Sequence, residues 1–140
     1  MKTALITLLL LANVAVAQQA SKPKVQFAMA KYTSPASGKE MFNSYCASCH
    51  GASAKGDGPA AIALKQGAPD LTVLAKTNGG VFPSMHVYEL IKGDTAVSAH
   101  GSPTMPVWGP VLSRISMSSN SQTQQRLHNL TAYLESLQVK

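Results

Sequence analysis

The 140-residue chain is short of several things at once, and each shortage closes off a class of protein. Two cysteines are too few for a framework of disulfides. Six acidic residues stand against twelve Lys and Arg, a formal charge of +6, and no grouping of acid, base and nucleophile suggests catalysis. The basic residues are spread along the chain. They form neither a recognised nucleic-acid motif nor a basic helix, so nucleic acid is excluded as the expected partner. Three Phe, four Tyr and one Trp are thin for a core of this size. There is no internal repeat and no convincing strand alternation. The one long apolar run lies at the amino terminus, and it is shorter than the roughly 20 residues of a bilayer span.

The two cysteines sit together in Cys46-Ala47-Ser48-Cys49-His50. C-x-x-C followed directly by His is the attachment signature of a covalent haem. The two thiols form thioethers with the vinyl groups of one porphyrin while the neighbouring imidazole reaches the iron. A thioredoxin-like dithiol needs a βαβ setting, and a structural zinc needs four ligands in paired clusters. Neither pattern is present, although His86, His100 and His128 keep a zinc site formally open. A buried porphyrin also provides the apolar bulk that the aromatic residues lack.

At the amino terminus, Lys2 precedes the largely apolar stretch Ala4 to Val16, and Ala15-Val16-Ala17 has the small-x-small form of a signal-peptidase site. We therefore expect residues 1–17 to be a signal peptide cleaved after Ala17 and the protein to be periplasmic. No second long hydrophobic segment follows, so no integral membrane segment is expected after cleavage. Losing 17 of 140 residues leaves 123, the size of one domain. Residues 18–36, with Lys22, Lys24 and Lys31 beside Pro23 and Pro35, read as a flexible, exposed arm, and 37–140 as the folded domain.

Within that domain, Ser37-Gly38-Lys39-Glu40 has the form of a capping box and starts a helix that runs through Phe42 and Tyr45 into the haem motif. Gly51 to Pro59 is a glycine-rich loop without the Lys-Ser/Thr ending of a phosphate loop. Pro59 then suits the first position of a short helix reaching Lys65, and Asp70 to Leu74 another helical turn. Asn78-Gly79-Gly80 marks a turn, and Ser84 to Lys92 a short helix stopped by Gly93. From Asp94 to Gly109 no period appears, but Pro103, Pro106 and Gly109 stiffen the chain around Met105. Ser113 to Gln125 reads as a solvated loop. Ser121-Gln122-Thr123-Gln124 offers a second capping box, and Leu127, Leu130, Tyr133, Leu134 and Leu137 form one buried face of a last helix. The expected fold is all-α, with three to five short helices around one covalently bound cofactor.

From about Ser37 to Leu137 the chain resembles the class I c-type cytochromes. Gly38 and Phe42 on a first helix, the haem motif, Gly58-Pro59, a middle helix, Met105-Pro106-Val107-Trp108-Gly109, and a last helix with Leu130 and Tyr133 follow in the family order. The resemblance implies a cytochrome c-like fold holding one haem c through Cys46 and Cys49. It implies His50 as proximal and Met105 as distal iron ligand, and a crossing of the first and last helices at Gly38 and Tyr133. It further implies that the Pro59 carbonyl accepts the second N–H of His50. Trp108, whose indole N–H needs a partner when buried, is the candidate donor to a haem propionate.

Met105 also stands out from the other methionines because it lies in a proline-bounded loop far from His50, and a soft thioether raises the reduction potential. His100, in the same segment, is its rival. The function expected is electron transfer rather than catalysis: a periplasmic monohaem carrier, or a cytochrome subunit of a larger oxidoreductase. Its partners would be redox proteins with acidic docking faces, a reductase or dehydrogenase as donor and an oxidase or reductase as acceptor. The alternative is a haem-based ligand-binding or sensing protein with a displaceable distal Met.

Overall fold

The computed structural model describes residues 30–64, 66–94 and 105–139. The expected signal peptide, most of the arm, Lys65, His100 and Pro103 lie outside the described residues. Among the described residues the regular structure is entirely helical. The first helical rod is built from α1 (Gly38–Met41), a π-helical turn (Phe42–Cys46) and α2 (Ala47–His50). α3 (Leu74–Thr77), α4 (Ser84–Lys92), α5 (Trp108–Ile115) and α6 (Asn120–Ser136) follow, with short 3₁₀ turns at Ala61–Ala63 and Leu71–Val73.

α6 is the hub, packing against α1, α4 and α5. Its Leu127, Leu130 and Leu134 meet Met41 and Phe42 from the first rod, Val87 and Ile91 from α4, and Leu112 from α5 in one core. The crossing of α1 with α6 is made possible by Gly38. A Cβ there would overlap the Asn129 carbonyl oxygen and lie 2.6 Å from Tyr133 Cβ. One turn on, the rings of Phe42 and Tyr133 lie 5.6 Å apart, tilted at 52°, an arrangement that suits their quadrupoles.

The helix starts follow local chemistry. Ser37 Oγ accepts from Glu40 N at 3.2 Å, as expected of a capping box, but the Glu40 carboxylate receives Ser34 N at 3.1 Å instead of the cap residue's own amide. Ser37 N instead donates to Ser34 O, so the reciprocal half of the box moves back by three residues. α4 starts after Pro83 and ends at Gly93, whose φ of +93° is the left-handed stop its sequence announces.

Three expectations are corrected. The stretch from Ser113 to Gln125 is not a loop: α5 occupies 108–115, a tight turn follows, and α6 begins at Asn120, capped by Ser119 and not Ser121. Pro110 falls within the first turn of α5, where the missing N–H has no intrahelical partner to lose. The helix after Pro59 shrinks to the single 3₁₀ turn at Ala61–Ala63. Residues 31–35, read as the end of an exposed arm, are docked: Thr33 is buried, and the Pro35 carbonyl accepts from Asn129 Nδ2 at 2.9 Å.

At the other end of the chain, Gln138 clamps the 71–75 segment to α6. Its Nε2 donates to Leu71 O and Leu134 O, while its Oε1 accepts from Ala75 N.

Candidate cofactor-binding site

The first rod delivers Cys46, Cys49 and His50 at the end of a helix whose base is anchored in the core by Met41, Phe42 and Tyr45. Its π turn, closed by Ala47 N donating to Phe42 O, adds one residue to a helical turn just ahead of the first cysteine. Such turns recur at functional sites because they re-aim the side chains that follow. Gly51, at φ +76°, ends the rod immediately after His50.

Both cysteines are half-buried free thiols. Burial, and secondarily the neighbouring Cys49, push the Cys46 thiol up to about 12. Cys46 is therefore held as the neutral thiol at neutral pH. His50 is buried, and that burial lowers its affinity for a proton, an effect partly opposed by its bond to the Pro69 carbonyl. Burial thus favours the neutral ring, the form in which an imidazole ligates a metal.

The loop after His50 folds back in layers. Gly56 N donates to His50 O at 2.8 Å, Gly58 N to Cys49 O at 3.1 Å and Ala60 N to Ser48 O at 2.8 Å. Gly58 lies so close to the motif that a Cβ would sit 2.6 Å from the Cys49 carbonyl carbon. Gly56, at φ +82°, leaves room for the Ala68 carbonyl. The chain is thereby returned to the imidazole, and His50 Nδ1 donates to Pro69 O at 3.3 Å.

The expected acceptor, Pro59, is corrected to Pro69. Gly58 and Ala60 donate their amides to the Cys49 and Ser48 carbonyls, and Pro59 between them is left exposed at the tip of that turn. No sequence signal points to Pro69, because the contact spans 19 residues and is made by backbone.

Further along the chain, Met105 is exposed and Trp108 half-buried at the first turn of α5. The Trp108 ring stacks on Tyr45, with centroids 5.4 Å apart and planes at 27°. Tyr45 is the residue just before Cys46. The stack therefore ties the segment that carries Met105 to the C-x-x-C-H motif, a link the sequence does not advertise.

These residues fit a covalently attached haem. Two unpaired thiols stand at the C-x-x-C spacing, and Pro69 occupies Nδ1 of a buried neutral imidazole and leaves Nε2 for iron. Among the described residues no three His, Cys, Asp or Glu side chains converge as the ligand set of a metal ion, which the zinc alternative requires. No described helix is long and apolar enough to cross a membrane. The Cytochrome c family model matches residues 35–138. No curated protein and no solved structure matches the chain.

Proposed function

The chain belongs to the cytochrome c family, electron-transfer haem proteins, and we propose that it is an exported monohaem carrier passing single electrons between respiratory redox partners. The observation that carries this reading is the His50–Pro69 bond beside two free thiols, since it orients one imidazole nitrogen away from the backbone and toward a metal. Cys46 and Cys49 hold the haem as thioethers, each thiol adding across one vinyl group. His50 is the proximal ligand through Nε2, and Met105 the distal one. When bound, haem c supplies a one-electron iron couple. Met/His ligation sets that couple high and leaves no open coordination position for a substrate. Trp108 donates its indole N–H to a propionate. The basic chain steers acidic partners toward it, as a free carrier or as a subunit of a larger oxidoreductase. The apolar leader at residues 1–17, with Lys2 at its head and Ala15-Val16-Ala17 at its end, supports export to the periplasm.

Met105→Ala tests the carrier reading. Oxidised wild type shows the weak sulfur-to-iron charge-transfer absorption near the red edge of the visible spectrum, and its reduced form resists carbon monoxide. The variant loses the band, binds carbon monoxide and has a lower potential, while His100→Ala changes none of these. Rapid carbon monoxide binding by wild type, unaltered in Met105→Ala, would replace the carrier with a ligand-binding or sensing protein.

A further inference from the structure

Tyr45 is a core residue with unusual connections. Its ring lies against Trp108, three residues after Met105, and its hydroxyl donates to the Lys31 carbonyl at 2.6 Å. The same oxygen is 2.8 Å from Thr33 Oγ1. Thr33 in turn receives Nη1 of Arg126 at 3.0 Å, and Arg126 Nε donates to Ser116 Oγ at 3.0 Å.

Arg126 is fully buried, with the ring of Tyr32 5.2 Å away over its guanidinium and no partner for Nη2 among the described residues. A buried guanidinium without a carboxylate is costly. The arrangement therefore asks for a purpose beyond stability. Geometrically it is a strap: residues 31–33 are drawn across Tyr45 and fastened to α6, so the ring facing Trp108 has no freedom to turn away.

We propose that Tyr45, locked by Lys31, Thr33 and Arg126, is a positioning residue for the distal ligand, holding Trp108 so that the Met105 segment stays closed over the iron. This inference rests on Met105 as the distal ligand. It assigns to the docked arm the task of keeping that ligand in place. The stack carries the effect, because offset aromatic pairs favour a defined separation and tilt, and Trp108 is fixed to Met105 by only two intervening residues.

The experiment measures binding of added imidazole to the oxidised holoprotein, which competes with Met105 for iron. An apparent affinity is reduced by the fraction of protein in the competing state, so a weaker Met–iron bond appears as tighter imidazole binding. Tyr45→Leu tightens it about tenfold and fades the charge-transfer band, while Tyr45→Phe, which keeps the ring but loses the hydroxyl that Lys31 and Thr33 hold, tightens it by about threefold. Thr33→Val, which keeps the shape and removes the lock, moves the affinity the same way by about threefold. It serves if Tyr45→Leu does not accumulate as holoprotein.

In a Met105→Ala background, Tyr45→Leu has no effect on imidazole binding, since nothing is left to displace. An unchanged imidazole affinity in Tyr45→Leu or Thr33→Val, even with a lowered melting temperature, overturns the positioning role. An undiminished effect in the Met105→Ala background overturns it as well. If Met105→Ala alone leaves imidazole affinity at the wild-type level, the ligation reading itself falls, and the positioning role falls with it.

Discussion

Single positions carry more of this fold than their chemistry suggests. Gly38 is the clearest case, because its missing side chain is what lets α1 reach the Asn129 carbonyl on α6. In Gly38→Ala the added methyl meets backbone, which cannot rotate aside, so the helices must separate. We expect a loss of about 3 kcal/mol, the upper part of the range for overpacking, measured by denaturant unfolding of the holoprotein. A loss of under about 0.5 kcal/mol, as for a surface substitution, would mean that the crossing is looser than it looks. Asp70 works by charge. Its Oδ1 accepts from the Thr72 hydroxyl at 2.6 Å and the Thr72 amide at 2.8 Å, which hold the carboxyl below its ordinary range. A carboxylate lowered in the folded state stabilises fully above its unfolded value of about 3.9 and loses that contribution as pH falls through the lower folded value. The melting-temperature gap between wild type and Asp70→Ala is therefore constant from neutrality down to about pH 5 and closes below about pH 4. A gap that persists undiminished in stronger acid would show that the bonds to Thr72 do not depend on the ionised carboxylate.

Among the helices, what was legible in advance was whatever local chemistry decides. Ser37 caps its helix, Gly93 stops α4, and the leucines of α6 line its buried face, because capping, positive φ and a three-to-four-residue period are all written in neighbouring residues. The start of α6 was misplaced by two residues because Ser119 and Ser121 are both competent caps, and the choice depends on the turn that precedes them. α5 is not anticipated because Gly109 reads as part of a stiffened connection and Ser113 to Gln125 as a solvated loop, yet Gly109 and Pro110 fall in a first turn, where neither breaks the helix. At the site, the C-x-x-C-H spacing is plain in the sequence, whereas the acceptor of His50 is not. Gly58-Pro59 and Pro69 are indistinguishable until the layered loop is folded, and the docked strap depends on Arg126, which gives no sign in sequence of being buried. The first rod unites the readable and unreadable parts, since its core anchor Phe42 opens the π turn that ends at Cys46. Phe42 is fully buried and faces Tyr133, so Phe42→Ala should cost about 3–5 kcal/mol. The same variant should also lower the yield of protein carrying haem, read by a pyridine haemochrome assay against total protein. A fully stable, fully loaded variant would separate the rod's anchoring from its attachment chemistry.

For the molecule as a whole, the decisive quantity is charge: twelve basic side chains against six acidic ones, in a member of a family of electron-transfer haem proteins. A formal charge of +6 attracts negative partners over a distance set by salt, about 10 Å at 0.1 M ionic strength. This attraction raises encounter rates rather than strengthening any one contact, which suits the carrier proposed above. The idea can be tested without knowing the natural donor or acceptor, by oxidising the reduced protein with two small complexes of opposite charge. The rate with ferricyanide, an anion, should fall as ionic strength rises from about 10 to 200 mM, by several-fold up to about tenfold. With tris(phenanthroline)cobalt(III), a cation, it should rise over the same interval. Opposed slopes would locate the basic field at the edge through which the electron passes. If both rates are flat, the positive charge lies away from that edge and serves solubility alone; if ferricyanide speeds up with salt, the exit edge is acidic and an acidic-faced partner is the wrong one.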